Sequence, residues 1–291
     1  MSAWTRILAA ILFVLLSPIL AGLLAGLDRI ISARMQSRIG PPLLQPIYDL
    51  LKLFQKERIA VNRSGHFFLL GYLLFTILAG IEFFIGGDLL IVIFALALAS
   101  VFFVLGAFAA GSPYSHIGAE RELIQIMASE PMLIMCAMGF YVATGSFQVT
   151  TIHAQPTPLI ATLPGIFLGM IYILTIKLRK SPFDLSTSHH AHQEIVKGIT
   201  TEFAGPYLAI IELAHGYETI LLLGFLYLFF APWPLLALAA LIAVYFLEIL
   251  ADNTHARLYW QWVLRTSWAF TAIVGAGNLI LLHYLQRGGT P

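Results

Sequence analysis

The chain has 291 residues, of which 59% are hydrophobic and only 11% charged, with a net charge of +1. Soluble domains carry about 25% charged residues, so this composition excludes an ordinary soluble enzyme and indicates a multi-span α-helical membrane protein. The near-neutral charge gives no sign of nucleic-acid binding. The single cysteine excludes a disulfide framework and a self-contained iron–sulfur cluster.

Apolar runs recur along the chain at about the 20-residue length that a bilayer requires. We predict an all-α fold, a single integral membrane domain over 1–291 with eight transmembrane helices. The first run is interpreted as a span and not as a signal peptide, because it lacks a cleavage site and further spans follow. The predicted spans are 7–27, 67–87, 89–110, 123–145, 158–176, 205–230, 232–251 and 268–285.

Lysine and arginine are distributed unequally between the two sides of this predicted bundle. Of the 16 basic residues, only Arg6 and Arg287 lie outside the odd-numbered loops. Basic residues are enriched in cytoplasmic loops. We therefore expect a cytoplasmic (inner) membrane protein with its odd-numbered loops in the cytoplasm and both termini outside.

The first loop, 28–66, contains an amphipathic segment at 43–57. Its apolar residues recur at helical spacing, which predicts a helix lying in the membrane interface. Either this helix only rests on the surface, or it is a docking platform for a peripheral subunit. The apolar positions are Leu43, Leu44, Ile47, Leu50, Leu51 and Phe54.

Carboxylates are costly inside a bilayer, by about 2.5–3.5 kcal/mol on insertion scales, so those within spans need an explanation. Glu212, His215 and Glu218 recur at every third position of the sixth span, on one broad helix face. Buried carboxyls and histidines can exchange protons near neutral pH, which suggests a proton relay. The alternative is a stripe of packing residues that hydrogen-bond to neighbouring helices. The acids within predicted spans are Glu82, Glu130, Glu212, Glu218 and Glu248.

The fifth loop holds a histidine cluster, His189, His190 and His192, close to Glu194. Its spacing matches no zinc pattern, so we predict no bound metal. A cluster that accepts protons or lines an interface is favoured over a metal site, and a solvated polar loop is the alternative.

Four segments, one in each odd-numbered loop, together resemble the quinone-site membrane subunit of respiratory complex I and its relatives in membrane-bound [NiFe] hydrogenases. They read ARMQSRIGPPLLQPIYDLLKLFQKE, GSPYSHIGAERELIQIMASEPML, SPFDLSTSHHAHQEIVKGITTEFAG and ADNTHARLYWQWVLRTSW. The Gly-Ser-Pro segment at 111–113 and the STSHHAHQE run at 186–194 are similar to the energy-converting (Ech-type, group 4) hydrogenase branch. Quinone-reducing relatives usually carry Glu-Ala-Glu where this chain has His190-Ala191-His192, and His215 stands where they carry a glutamate.

The resemblance implies a membrane anchor and proton-coupling subunit of an energy-converting [NiFe] hydrogenase complex. Such a complex links ferredoxin-dependent proton reduction or hydrogen oxidation in a peripheral arm to ion translocation by antiporter-like subunits. The implied partners are the [NiFe] large and small subunits, iron–sulfur subunits, an antiporter-like membrane subunit and the lipid bilayer. The [NiFe] centre and the iron–sulfur clusters are expected in those partners, and no catalytic, cofactor or metal site in this chain.

Residues and resemblance together suggest three groups of site residues. The proton path comprises Glu130, Glu194, Glu202, Glu212, His215, Glu218, Glu248 and Asp252. The loop-five cluster comprises Asp184, His189, His190 and His192. The peripheral-arm interface comprises Gln36, Arg38, Gln45, Asp49, Lys52, Glu57, Glu120, Arg121, Glu122 and Arg257.

Two other functions remain open from the sequence. The first is the quinone-chamber membrane subunit of complex I, in which the loop-five histidines would offer a polar handle to a quinone headgroup. The second is a stand-alone ion or solute transporter, which would favour broken-helix repeats and leaves the basic, amphipathic first loop unexplained.

Overall fold

The computed structural model describes residues 3–57, 63–187 and 196–288, and the described residues are predominantly α-helical. His189, His190, His192 and Glu194 lie outside the described residues. Two 3₁₀ turns, Leu159–Ala161 and Gly198–Thr200, and a π-helical segment, Thr271–Ala276, join the helices. The helices are α1 (Ala3–Met35), α2 (Gln45–Gln55), α3 (Arg63–Ile85), α4 (Leu89–Ala109), α5 (Pro113–Thr144), α6 (Val149–His153), α7 (Pro164–Lys177), α8 (Pro206–Leu228), α9 (Pro234–Thr254), α10 (Trp260–Phe270) and α11 (Gly277–Gly288).

Seven segments of the described chain are long and apolar enough to cross a membrane: α1, α3, α4, α5, α8, α9 and the continuous segment Trp260–Leu285. The all-α, multi-span prediction is therefore confirmed. The helices α5 and α10 begin before the predicted spans 123–145 and 268–285. Hydropathy does not detect the first turns of α5, because they are helical but rich in polar residues.

The predicted fifth span, 158–176, falls on α7, which has only 14 residues. A helix of that length is about 21 Å long, less than the roughly 30 Å of a hydrocarbon core. Its flanking residues nevertheless reach both ends of the bundle. Before α7, the Ile160 amide donates to the carbonyl of Phe229, at the α8–α9 turn, over 3.1 Å. After it, Lys180 pairs with Asp28 near the other end of α1. The short helix and its 3₁₀ turn together therefore take the place of the predicted span.

The start of α7 is capped by a side chain from α11. Asn278 Oδ1 accepts hydrogen bonds from the amides of Gly165 (3.0 Å) and Ile166 (3.2 Å), and its Nδ2 donates to the carbonyl of Thr162 (3.2 Å). Pro164, the first helical residue, has no N–H to satisfy. Unpaired backbone groups are costly where lipid excludes water. This cap therefore explains how so short a helix can begin inside the bundle.

Helix α5 contains Pro131, and α10 supplies the hydrogen bonds that this proline disturbs. Proline has no N–H, so the carbonyl of Met127 loses its helical partner. Trp268 Nε1 donates to that carbonyl over 3.1 Å, and the hydroxyl of Ser267 donates to the adjacent carbonyl of Ala128. The acid-bearing helix α5 is thus tied to α10 at its proline.

The amphipathic segment of the first loop forms α2, as predicted, and it packs on glycines of α1. A Cβ at Gly22 would lie 2.6 Å from Ile47 Cγ1, and one at Gly26 would overlap the carbonyl oxygen of Leu43. The chain around α2 therefore rests directly on the α1 backbone. Leu51 and Phe54, one and two turns after Ile47 on the same apolar stripe, are exposed.

Candidate functional site

The end of α7 carries three basic residues, Lys177, Arg179 and Lys180, that the sequence marks only as charges of a cytoplasmic loop. The structure buries them: Lys177 is 8% exposed, Lys180 7% and the Arg179 side chain 12%. Arg179 has a φ of +52°, in the left-handed region that non-glycine residues seldom adopt. Buried charges are nearly always paired, so these residues lead to the acids that face them.

Arg179 and three neighbours form a cluster that we call the Arg179 cluster: Glu122 of α5, Glu218 of α8, Lys177 and Arg179. Arg179 holds Glu122 at two points, Nη2 to Oε1 (2.6 Å) and Nε to Oε2 (3.3 Å). Its Nη1 lies 3.9 Å from Glu218 Oε2, and Lys177 Nζ lies 3.8 Å from Glu218 Oε1. The two bases and two acids balance each other in charge.

The electrostatics of the Arg179 cluster keep its guanidinium charged. Burial alone would lower the pKa of Arg179, but the charge of Glu122, with contributions from Tyr72 and Glu218, raises it above the ordinary arginine value. The guanidinium is therefore a permanent cation, and any proton exchanged in this cluster must move on other groups.

Aromatic rings close one side of the Arg179 cluster. The Tyr72 hydroxyl donates to Glu218 Oε2 over 3.5 Å, and the Arg179 guanidinium lies 5.6 Å from the centre of the Phe103 ring. His215 packs edge-on against Tyr72 and Phe103, with ring centres 5.9 Å and 5.6 Å away. Its Nε2 is buried without a hydrogen-bond partner among the described residues. His215 therefore lies beside the cluster but is not bonded into it.

A cavity of about 10 Å³ adjoins the Arg179 cluster, lined by Glu122, Gln125, Ser129, Lys177 and Arg179 together with two isoleucines. That volume is roughly the space one water molecule needs. Gln125 Nε2 donates to the carbonyl of Phe183 over 2.5 Å, whereas its Oε1 is buried without a partner in the described chain. One bound water is chemically suited to this place.

A second cluster, the Lys180 cluster, lies where α1 and α9 approach the same segment, and comprises Asp28, Lys180, Glu248 and Asp252. Lys180 Nζ is 2.6 Å from Asp28 Oδ2 and 5.2 Å from the centre of the Tyr245 ring. The Ser181 amide donates to Asp252 Oδ1 over 2.8 Å. Glu248 is only 2% exposed. The segment Lys177–Lys180 therefore carries one charged cluster on each side.

Arginines of neighbouring elements hold the fifth loop. Arg257 Nε donates to Asp184 Oδ1 (3.2 Å), and its Nη2 donates to the carbonyl of Thr187 (3.2 Å). Arg121 Nη1 lies 3.4 Å from the carbonyl of Leu185. Both arginines are predicted at the peripheral-arm interface. The structure shows that they donate hydrogen bonds to loop five, and their contact with a peripheral arm stays a prediction.

Some of the other residues predicted at the peripheral-arm interface are exposed, and some form hydrogen bonds between elements of the chain. Asp49 accepts from Arg29 and from Gln45, both over 2.8 Å, and these bonds tie α2 to α1 and to its own first turn. Gln36 Nε2 donates to Asn253 Oδ1 over 3.0 Å, so the first loop also touches the end of α9. The exposed members are Gln36, Arg38, Lys52, Glu57 and Glu120.

Glu122, predicted at the peripheral-arm interface, is 4% exposed and faces Arg179, and its contact with a peripheral arm stays a prediction. Glu212, His215 and Glu218, predicted on one broad helix face, do not share one environment. Steps of three residues turn back by about 60° each on a 3.6-residue helix, so Glu212 and Glu218 point about 120° apart. Glu212 is exposed, whereas Glu218 is buried in the Arg179 cluster.

Other predicted acids have different surroundings. Glu82 accepts a hydrogen bond from the Asp88 amide over 3.1 Å and stabilises the α3–α4 turn. Glu130 and Glu202 are half-buried. The structure thus brings together Glu122 and Glu218 in one place and Glu248 and Asp252 in another. Glu130 is close enough to Lys177 of the Arg179 cluster to interact with its charge, whereas Glu202 and Glu212 belong to neither cluster.

Sequence reasoning missed Asp28, Tyr72 and the three basic residues of 177–180. The feature of the sequence that could have indicated the buried bases is their position directly at the end of an apolar helix. A basic residue there is either in water or paired with an acid from another helix, and the sequence alone cannot say which.

A family model described as NADH dehydrogenase matches residues 7–283. The chain belongs to the NADH dehydrogenase family. Within this family, Hydrogenase-4 component C of Escherichia coli (strain K12) is 30% identical over 290 residues, which is 89% of each chain. Formate hydrogenlyase subunit 4 of the same organism is 28% identical and covers 86% of this chain and 90% of its own.

The NADH dehydrogenase family also includes respiratory relatives. One subunit of the NADH-quinone oxidoreductase of Dehalococcoides mccartyi (strain ATCC BAA-2266 / KCTC 15142 / 195) is 30% identical and covers 89% of this chain and 80% of its own. A chain of the membrane-bound sulfane sulfur reductase, an archaeal respiratory membrane complex, superposes with a TM-score of 0.82 at 27% identity, over 95% of this chain and 99% of that one. The protein is therefore a multi-pass membrane subunit of the kind found in hydrogenase and respiratory complexes.

Proposed function

We propose that this chain is the membrane anchor and proton-coupling subunit of an energy-converting [NiFe] hydrogenase complex. In this role it binds the [NiFe] large and small subunits and the iron–sulfur subunits at the end of the bundle where loops one, three, five and seven lie. An antiporter-like subunit binds it within the membrane. Electron transfer, with its [NiFe] centre and iron–sulfur clusters, belongs to the partners, and this chain supplies the coupling path.

The observation that carries the proposal is the pair of buried charged clusters on the two sides of 177–180. Burying an ion pair seldom improves stability over well-packed apolar residues, so stability alone does not account for the acids and bases gathered there. Ionisable residues inside a membrane protein are by default a functional-site hypothesis. Both clusters lie close to loop five, to which Arg121 and Arg257 are hydrogen-bonded, and this closeness supports coupling between the loop and the clusters.

The geometry suggests how coupling operates. The part of loop five that follows Lys180 is bonded through Asp184 to Arg257. A change in the peripheral arm that shifts loop five also shifts Arg179 and Lys180 against their carboxylate partners. Moving a cation away from a carboxyl raises that carboxyl's affinity for a proton, and bringing it closer lowers it. Redox chemistry outside the membrane is thereby linked to proton uptake and release inside it.

A second candidate function is the quinone-chamber subunit of a complex I-type enzyme. The 30% identity to the NADH-quinone oxidoreductase subunit of Dehalococcoides mccartyi favours it. Hydrogenase-4 component C has the same identity but is covered over 89% of its own length, against 80% for the Dehalococcoides mccartyi subunit. The hydrogenase function is preferred for that reason and because the sequence has His190-Ala191-His192 where quinone-reducing relatives usually have Glu-Ala-Glu.

The test is purification of the tagged chain in mild detergent, with nickel, iron and flavin measured in the material that co-purifies. The proposal expects nickel with iron, together with hydrogen evolution from a reduced low-potential dye. Iron and flavin without nickel, together with quinone reduction, would replace the proposal with the complex I alternative. Crosslinking in membranes before solubilisation guards against loss of the peripheral arm, and a chain that crosslinks to no iron–sulfur subunit would overturn both.

A further inference from the structure

The Lys180 cluster is unbalanced in charge, whereas the Arg179 cluster is not. Among the described residues, three carboxyl groups, of Asp28, Glu248 and Asp252, lie around one cation, that of Lys180. The next base on α1, Arg29, is bonded to Asp49 of α2. If all three carboxyls were ionised, a largely buried site would carry an excess of two negative charges.

The three carboxyls differ in their partners. Asp28 Oδ2 lies 2.6 Å from Lys180 Nζ, and Asp28 Oδ1 accepts a hydrogen bond from the Ser32 hydroxyl over 3.2 Å. Asp252 receives the amide of Ser181 at 2.8 Å. Both of these acids are therefore stabilised as anions. Glu248 differs, because it is 2% exposed and its Oε2 has no hydrogen-bond partner among the described residues.

The groups that face Glu248 offer little to an anion. They are the Thr175 hydroxyl of α7, Lys180 of the following segment and the carboxyl of Asp252 on α9. The ammonium of Lys180 is already paired with Asp28 of α1. The ring face of Tyr245, also on α9, contacts the same ammonium. The Thr175 hydroxyl is a hydrogen-bond partner of Glu248, but Oε2 has none among the described residues. Burying an ionised carboxylate with so few donors is unfavourable, whereas the neutral acid avoids most of that cost.

A bound cation would be another way to balance the charge. Among the described residues, however, no group of three or more His, Cys, Asp or Glu side chains converges closely enough to hold a metal ion. The carboxyls surround Lys180 and do not share a common centre. A proton on the least-partnered carboxyl is therefore the simpler solution.

We propose that Glu248 carries a proton in the resting protein and is the group of the Lys180 cluster that exchanges it. That the proton is bound follows from the geometry alone. That it is exchanged during turnover rests on the coupling function proposed above, and it narrows the eight-residue proton path expected from the sequence to one titrating group in this cluster.

The bound proton is tested by infrared spectroscopy of the purified complex at neutral pH, as the difference between wild type and Glu248→Gln. The expected difference contains the C=O stretch of one carboxylic acid, shifted in D₂O, and no carboxylate band. Glu122→Gln is the matched control, since Glu122 is equally buried but paired with Arg179, and its difference should contain carboxylate bands only. Carboxylate bands in the Glu248→Gln difference would overturn the proposal. Should that variant fail to assemble, Glu248→Asp should shift the acid band in frequency.

Exchange is tested on the same preparations in liposomes, by hydrogen evolution with simultaneous recording of ion movement. Glu248→Gln should lose at least about tenfold in ion movement per hydrogen formed. Unchanged coupling in this variant would overturn exchange at Glu248 while leaving the coupling function intact. A wild type that evolves hydrogen without moving ions would instead refute the proposed function, and the infrared result would stand independently.

Discussion

Arg179 and Glu122 form a two-point ion pair, with Nη2–Oε1 at 2.6 Å and Nε–Oε2 at 3.3 Å, and their side chains are only 12% and 6% exposed. The pair joins the segment after α7 to the first turns of α5. It ties the segment that enters loop five directly to a helix of the bundle. Breaking or moving it is the most direct way for loop five to alter the buried charges.

Removing one partner of this pair should be strongly destabilising. Arg179→Met leaves Glu122 buried without its cation, a situation that typically costs about 3–5 kcal/mol. We expect a clearly lower midpoint of thermal unfolding for the purified complex. The double variant Arg179→Met/Glu122→Gln should recover part of that loss, since no uncompensated charge remains at Glu122. Glu120→Gln, two residues away and exposed, is the control and should leave the midpoint unchanged. Equal losses in the single and double variants would contradict the pairing.

The cap on α7 should contribute measurably to stability. Asn278→Ala removes the acceptor for the Gly165 and Ile166 amides, and losing such a cap costs about 0.5–2 kcal/mol. Asn278→Asp keeps an acceptor and gives up only the donation to Thr162. We expect the alanine variant to have the lower thermal midpoint of the two. If the two variants were equally unstable, the cap would not be the important interaction of Asn278.

A glycine of α1 should determine how α2 is seated. In Gly26→Ala the new Cβ would overlap the carbonyl oxygen of Leu43, so the chain leading into α2 must move. We expect faster proteolysis of the first loop and weaker retention of peripheral subunits on purification. Gly277→Ala is the matched control, because a Cβ there meets nothing within 4 Å. A Gly26→Ala protein that retains its partners fully would count against α2 as a docking platform.

The attachment of α2 should depend on pH through Asp49. The hydrogen bond from Arg29, reinforced by Gln45, lowers the pKa of Asp49 below its ordinary value of 3.8. Because the pKa of Asp49 is lower in the folded protein than in the unfolded chain, ionised Asp49 stabilises the fold at any pH above its unfolded pKa. This stabilisation is lost as the pH falls through the folded-state pKa. Hydrogen exchange should thus show α2 equally protected from neutral pH down to about pH 4–5.

The effect of Asp49→Asn should be small, because the Asp49 side chain is 42% exposed and water screens such a pair. We expect modestly faster exchange in α2 at neutral pH and no difference from wild type in acid below the pKa of Asp49. A difference that instead grew as the pH fell would have the wrong sign for an ionised Asp49 in the folded protein.

The helices could be predicted from the sequence because apolar runs alone determine which segments enter a membrane. The amphipathic helix α2 was equally visible from its spacing. The length of α7 could not be predicted, since its start depends on a cap from Asn278, 113 residues away in sequence from Gly165.

The charged clusters were beyond sequence reasoning for a related reason. Lys177, Arg179 and Lys180 look like loop charges until α1, α5, α8 and α9 are arranged around them. The exposure of Glu212 and the burial of Glu122 likewise depend on which side of a helix faces a neighbour, and spacing along one helix cannot reveal that.

The most direct test of the coupling account is ion movement in liposomes that contain the whole complex, driven by a reduced low-potential dye. Wild type should move ions as hydrogen forms. Glu218→Gln, which removes the negative charge between Arg179 and Lys177 and keeps the side-chain shape, should evolve hydrogen at a near-normal rate and move few ions. The exposed control Glu120→Gln should behave as wild type. Full ion movement in the Glu218→Gln complex would contradict the claim that the buried charges at the end of α7 couple the two processes.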